Sequence, residues 1–266
     1  MNDFKFDQEA YLKRINYAKE PKVSLECLRE LHYAQLFTMP FENFDVVLGR
    51  GIALEPNKLF HKLVHNKRGG YCFELNGLFL MALQTFGFDA RALLGRVHTS
   101  GTPSGKTHQI TLVTIDGNQW ITDVGFGNST MQGPIPLLLN EPTHIYQQTF
   151  RLVETHLYGM MLQIFRNEEW KDQYSFTLSH VFPNDIALGN YYTSTSPDSI
   201  FVKSRIAALP TKHGTNTLRN YTLRQYNDGQ SLQEQLEENQ DYIDSLSTYF
   251  GIELDASIGD LRPLEG

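Results

Sequence analysis

Cysteine is scarce in this chain: two among 266 residues, Cys27 and Cys72. Two thiols in dissimilar surroundings do not make a disulfide framework, and each needs its own explanation. Long apolar runs are missing as well. The longest, Leu78 to Leu83, falls far short of the about 20 residues that cross a bilayer, so no membrane partner is expected. The N-terminal stretch MNDFKFDQEA is charged and lacks the apolar centre of a secretory leader. A cytoplasmic setting follows, where a cysteine is a free thiol or a catalyst rather than half a bridge. Positive charge is in deficit: 23 Lys and Arg against 30 Asp and Glu leave a net −7, with a pI near 5.7. That balance does not build a nucleic-acid surface. What is present, 41% hydrophobic and 12% aromatic residues with 20% charged, is enough for a core and too apolar for disorder. The length suits one large or two to three smaller units.

Three zones differ in pattern. Up to about residue 88 the chain reads helical. Ser24 stands as the N-cap of a helix carrying Leu25, Leu28, Leu31 and Leu36, and Gly69-Gly70 precedes a second helical pattern of Phe73 or Leu75, then Leu78, Phe79, Ala82, Leu83 and Phe86. Gly87 sits where a left-handed residue ends that helix. From 89 to 190 the period changes to two. Strands are expected at Gln109 to Ile115, Trp120 to Val124, Thr149 to Val153, Met161 to Phe165 and Tyr174 to Leu178, with Asp116-Gly117 as a hairpin turn. A loop from Thr193 to Ser199 opens the third zone, which holds a strand pair around Asp228-Gly229 and a helix ending near Gly251.

The segment Arg68-Gly69-Gly70-Tyr71-Cys72 puts a thiol in the first turn of a helix. Unpaired N–H groups and the helix dipole favour the thiolate there, and the thiolate is the nucleophile. The two glycines permit a tight turn and a substrate close to the backbone. Cys27 lies within a helical pattern and is explained by packing alone. A thiolate catalyst needs a base, and the base needs an orienting group. If Asp116-Gly117 is a two-residue loop, Ile115 pairs with Asn118 and, counting back, Asp123 faces Ile110. His108 and Asp123 are then diagonal neighbours on one sheet face, about 7–8 Å apart at Cα.

Other motifs fail on inspection. Gly101-Thr102-Pro103-Ser104-Gly105-Lys106-Thr107 is one residue short of a phosphate-binding loop and leads into a strand, not a helix. Gly125-Phe126-Gly127 has Thr130 where the dinucleotide pattern needs glycine. His61 and His65 have metal-ligand spacing, but Lys62 replaces the expected glutamate and no third ligand is evident, so no metal is expected. Lys203, Arg205, Lys212 and His213 read as a mild basic cluster, a solvated surface or one of use near an anionic ligand.

With Cys72, His108 and Asp123 in place, the chain resembles the arylamine N-acetyltransferases. The matching segments are Pro40-Phe41-Glu42-Asn43, Arg68-Gly69-Gly70-Tyr71-Cys72, Thr107-His108, Asp123-Val124-Gly125-Phe126-Gly127, Gly133-Pro134-Ile135-Pro136-Leu137 and Ser196-Pro197-Asp198-Ser199-Ile200-Phe201. The resemblance implies an α+β fold: a helical N-terminal domain (1–88), an antiparallel β-barrel middle domain (89–190) and an α/β lid domain (191–266) around a cysteine-protease-like Cys-His-Asp site. It implies ping-pong transfer of acetyl from acetyl-CoA, a co-substrate rather than a bound cofactor, to small aromatic amines or hydrazines. Phe126 and Val97 are the residues expected against the aromatic ring, and Gly127, Asn128, Ser129 and Thr130 those offering N–H and hydroxyl groups to the CoA pyrophosphate. Glu42 and Arg68 resemble the family's buried ion pair. The chain departs from the family at His213-Gly214-Thr215-Asn216, where a Gly-Arg pair is usual. Thiol hydrolases and transglutaminase-like enzymes share the order Cys, His, acid or amide, and are the alternative. The papain-type oxyanion glutamine is missing, the nearest upstream being Gln35.

Overall fold

The computed structural model describes residues 4–264. Helices α1 (Gln8–Arg14) and α2 (Leu25–Leu36) start where side chains accept the first free N–H groups: Asp7 Oδ1 from Ala10 N at 3.0 Å, Ser24 Oγ from Cys27 N at 3.1 Å. A short strand β1 (Phe41–Glu42), then α3 (Phe44–Val47) and α4 (Pro56–Phe60), lead to α5 (Cys72–Thr85). Helix α5 buries Phe73, Leu75, Leu78, Phe79, Ala82 and Leu83, and Gly87 follows its end at φ +88°. Cys27 is buried in the same core, the packing role its pattern indicates.

Eight antiparallel strands come next: β2 (Asp89–Val97), β3 (Lys106–Ile115), β4 (Asn118–Thr122), β5 (Ile135–Pro136), β6 (Thr143–Ile145), β7 (Gln148–Thr155), β8 (Gly159–Arg166) and β9 (Glu169–Phe176). Their order, β5-β4-β3-β2-β9-β8-β7-β6, curls into a nearly closed barrel. Alternation along β2 and β3 explains their two partners. Ala90, Leu94, Val113 and Ile115 pack in the core that contains α5, whereas Leu93, Ile110 and Leu112 join Phe150, Leu162 and Tyr174 inside the barrel. The β3–β4 hairpin pairs Ile115 with Asn118 and Thr111 with Thr122. Asp116 and Gly117 both have positive φ, +50° and +76°, the conformation a two-residue hairpin loop demands.

Two expected boundaries are corrected. The final barrel strand starts five residues early, at Glu169, because its first half is solvated on both faces and shows no apolar alternation. The loop expected from Thr193 belongs in part to a helix, α6 (Pro183–Thr195). Pro183 begins it and Asp185 Oδ2 caps Phe182 N at 2.9 Å, but Leu188, Tyr191 and Tyr192 are exposed, so no apolar stripe announced it.

After α7 (Ile200–Lys203), strands β10 (Ile206–Thr211), β11 (Gly214–Arg219), β12 (Thr222–Asn227) and β13 (Gln230–Gln235) form a second sheet with β1 on its edge. Helix α8 (Gln240–Phe250) packs on it through Tyr242, Leu246 and Phe250 and ends at Gly251, φ +65°. Phe41 also bridges to Gly70, so the last sheet is tied to the loop just before Cys72.

Candidate active site

Cys72 is the first residue of α5. A Cβ on Gly69 would lie 2.1 Å from Pro40 O, and one on Gly70 2.7 Å from Glu74 Cβ. The expectation that these glycines clear space for a substrate is corrected: the atoms that need the room belong to Pro40 and Glu74. Glu74 Oε2 accepts from Tyr71 N at 3.1 Å, and Glu74 N and Leu75 N both bond Tyr71 O. The turn carrying Cys72 is thereby fixed from both sides. The thiol is 4% exposed and donates to Thr107 O at 3.6 Å.

His108 on β3 and Asp123, just beyond β4, meet as the hairpin register requires: Nε2 lies 2.7 Å from Asp123 Oδ2, with both residues buried. The other ring nitrogen, Nδ1, is left for Cys72. Burial alone lowers the His108 pKa, but the charge and hydrogen bond of Asp123, and then those of Cys72, push it up to about 10. Burial raises Asp123, and His108, Asn76 and Gly125 N outweigh it, leaving the carboxyl below its usual value. Asp123 Oδ1 accepts from Asn76 Nδ2 and Gly125 N, each at 2.9 Å. Gly125 is glycine because a Cβ there would sit 3.0 Å from Cys72 Cα.

The residues behind this pair were not found by sequence reasoning. Asn76, four residues after Cys72 and so on its helix face, also donates to Gln109 O at 2.8 Å and accepts from Val124 N at 3.0 Å. His32, fully buried, donates Nε2–H to Asp123 O at 3.0 Å. Burial lowers its pKa to about 4, so it is neutral. The Tyr174 ring packs 4.9 Å from the His108 ring; its hydroxyl faces Asp123, and burial and that carboxylate raise its pKa.

On the opposite side of the Cys72 turn lies a cage of five charged side chains. Arg68 Nη2 and Nε reach Glu42 Oε1 at 2.7 and 3.0 Å, the ion pair the resemblance implied. Arg68 Nη2 also lies 3.3 Å from Asp45 Oδ1, and Lys62 Nζ lies 2.7 Å from both Asp45 Oδ2 and Glu74 Oε1. Burial pushes Glu74 up to about 7 against the pull of Lys62. Lys62 had drawn attention only as a residue that spoils a zinc motif; its role is structural. Glu74 was legible at the third helical position, where a carboxylate reaches back to the helix start.

A family model described as N-acetyltransferase matches residues 24–258. The arylamine N-acetyltransferase / N-hydroxyarylamine O-acetyltransferase of Salmonella typhimurium is 38% identical over 236 residues, covering 85% of this chain and 81% of that protein. The chain belongs to the arylamine N-acetyltransferase family. Solved structures agree: the Salmonella typhimurium arylamine N-acetyltransferase superposes with a TM-score of 0.90 at 32% identity, covering 95% of each chain. That of Mycobacterium marinum, in complex with CoA, does so at 0.90 and 31%, covering 96% of this chain and 97% of that one. Membership makes the protein a transferase with acetyl-CoA as co-substrate and acetyl transfer to arylamines as its activity.

The remaining expected site residues can be placed against the family's chemistry. Phe126 lies edge-on to the His108 and Tyr174 rings at 4.8 and 5.0 Å. Val97 pairs with Tyr174 across β2 and β9, on the same sheet face. Gly127, Asn128 and Ser129 form a 3-10 turn. Thr130 Oγ1, at 2.7 Å, and Thr130 N, at 3.2 Å, both bond Gly127 O and close the turn. The basic cluster is corrected. Arg205 is fully buried between Tyr221 and Tyr242 and bonded to Glu238 Oε1 at 2.8 Å. His213 and Asp228 lie 3.3 Å apart at the surface. The segment that departs from the family, His213 to Asn216, makes the β10–β11 turn and the start of β11.

Proposed function

We propose that Cys72, His108 and Asp123 form a catalytic triad carrying acetyl from acetyl-CoA to aromatic amines or hydrazines through an acetyl-cysteine. The observation that carries this reading is the buried 2.7 Å contact between His108 Nε2 and Asp123 Oδ2, which turns the other imidazole nitrogen to a thiol at a helix N-terminus. The raised His108 pKa supports a protonated imidazole beside the Cys72 sulfur in the resting enzyme.

In the first half-reaction the Cys72 thiolate adds to the thioester carbonyl. Collapse of the tetrahedral intermediate breaks the C–S bond to CoA, and the departing thiolate takes the His108 proton. Glu74 N and Leu75 N are held by Tyr71 O, so the donors left at the helix start for the oxyanion are the N–H groups of Cys72 and Phe73. In the second half-reaction the amine lone pair attacks the acetyl-cysteine, neutral His108 takes the N–H proton, and the Cys72 thiolate leaves. Asp123 keeps the imidazole oriented throughout. Phe126 and Val97 would bound the aromatic ring, and the Gly127–Ser129 turn would receive the pyrophosphate, with Thr130 holding it closed. The three units 1–88, 89–190 and 191–266 would assemble this site, the last as a lid, in a cytoplasmic enzyme. Intact-mass measurement after mixing with acetyl-CoA tests the proposal: one acetyl on Cys72, discharged by an arylamine, is expected. No mass gain in a folded, reduced protein would refute it, as would turnover by Cys72→Ala.

A further inference from the structure

Beside the turn assigned to CoA stands a cation that none of the sequence motifs includes. Arg166 is the last residue of β8. Leu162 and Ile164 on the same strand face lie inside the barrel core, so Arg166 stands on that face at the rim. Its Nη1 donates to Ser129 Oγ at 3.3 Å. Among the described residues no carboxylate oxygen lies within 4.0 Å of its guanidinium. Its register partner Glu169 is bonded to Lys171 instead. Among the described residues Arg50, Arg68 and Arg205 are the arginines answered by acids, Arg68 by Glu42 and Asp45 and Arg205 by Glu238; what sets Arg166 apart is its bond to the turn. In a protein of net charge −7, an unanswered guanidinium next to a turn is a place for an anion.

The position suits the reaction. Ser129 is three residues from Phe126, at most about 10 Å of chain, and the Phe126 ring is 4.8 Å from that of His108. The turn and its guanidinium therefore lie a short stretch of chain from the reacting centre, on the side where the phosphates beyond the pantetheine arm of a CoA thioester would be met. The planar fork of arginine binds phosphate oxygens in pairs, and Ser129 Oγ holds one of its N–H groups.

We propose that Arg166, together with the Gly127–Ser129 turn, binds the diphosphate of acetyl-CoA and gives the enzyme its preference for CoA thioesters over phosphate-free ones; this rests on reading that turn as the CoA site. The test is steady-state kinetics of the wild type, Arg166→Ala and Arg166→Lys with acetyl-CoA, acetyl-dephospho-CoA and S-acetylpantetheine, at saturating arylamine. In Arg166→Ala, kcat/KM for both phosphate-bearing donors falls roughly ten- to a hundredfold relative to that for S-acetylpantetheine, mainly through KM. Arg166→Lys recovers part of the loss, and the wild-type preference shrinks as salt rises. An equal change with all three donors, or an unchanged KM for acetyl-CoA, overturns the proposal. A loss with acetyl-CoA alone moves the contact to the 3′-phosphate and overturns the diphosphate assignment. A wild type that uses S-acetylpantetheine as well as acetyl-CoA removes the reading of the turn itself, whatever Arg166 does.

Discussion

On the barrel side of Cys72, His108 touches a single charge, Asp123, whose other contacts are the neutral Asn76, Gly125 N and His32. On the far side five charged groups, Glu42, Asp45, Lys62, Arg68 and Glu74, answer one another. The barrel-side network is buried and the far side is partly open at Asp45 and Lys62; both end on the same helical turn, yet they suit different tasks. The barrel side leaves one imidazole nitrogen uncommitted, so a proton can enter and leave. The far side pairs Arg68 and Lys62 with carboxylates and ties together the chain from residue 68 to 74. A buried charge network restricts motion when every member is paired and supports chemistry when one valence stays open.

Substitutions can break this contrast. Asp123→Asn keeps the shape of the barrel-side network but removes the charge that fixes the His108 tautomer. Acetyl transfer should fall by about 10³–10⁴-fold with little change in melting temperature, measured by amine acetylation and thermal unfolding. An active variant would mean that the carboxylate is only structural. Arg68→Met acts on the other side. It strands Glu42, which is fully buried, and should cost about 3–5 kcal/mol of stability in urea unfolding. The folded fraction should keep acetylating through Cys72 far better than Asp123→Asn does; comparable loss of turnover in fully folded protein would erase the division of labour.

Sequence reasoning reached the barrel side because its members are joined by short-range rules. Ile115, Asp116, Gly117 and Asn118 set a hairpin register, and that register alone brings His108 to Asp123. The far side is assembled by contacts between distant parts of the chain, such as Arg68 with Glu42 and Lys62 with Glu74. Only the family resemblance made one of them visible. Helix α6 was missed for a related reason: its apolar residues Leu188, Tyr191 and Tyr192 face outward, so periodicity gave no warning, and only Pro183 and Asp185 marked its start. Arg205 was misread as surface because charge in a sequence says nothing of the tyrosines that will enclose it.

The smallest effect expected is a tilt in stability with pH, and it has opposite signs on the two sides. Glu74 is raised by burial from 4.5 to about 7. Between those values the folded state keeps a proton that the unfolded state has lost, so Glu74 removes stability as pH rises. His32 is lowered by burial from 6.5 to about 4. Across that interval the unfolded state binds a proton that the folded state refuses, so His32 removes stability as pH falls. The two intervals overlap between 4.5 and 6.5, where the slopes cancel, each on the order of 1.4 kcal/mol per pH unit. Glu74→Gln leaves only the His32 slope, and its stability should rise with pH over that range relative to wild type. His32→Gln leaves only the Glu74 slope, and its stability should fall. Urea unfolding of the three proteins at pH 4.5, 5.5 and 6.5 reads both tilts. Parallel profiles for all three would mean that neither group is kept uncharged by the folded state, and the contrast between the two sides would then rest on hydrogen bonding alone.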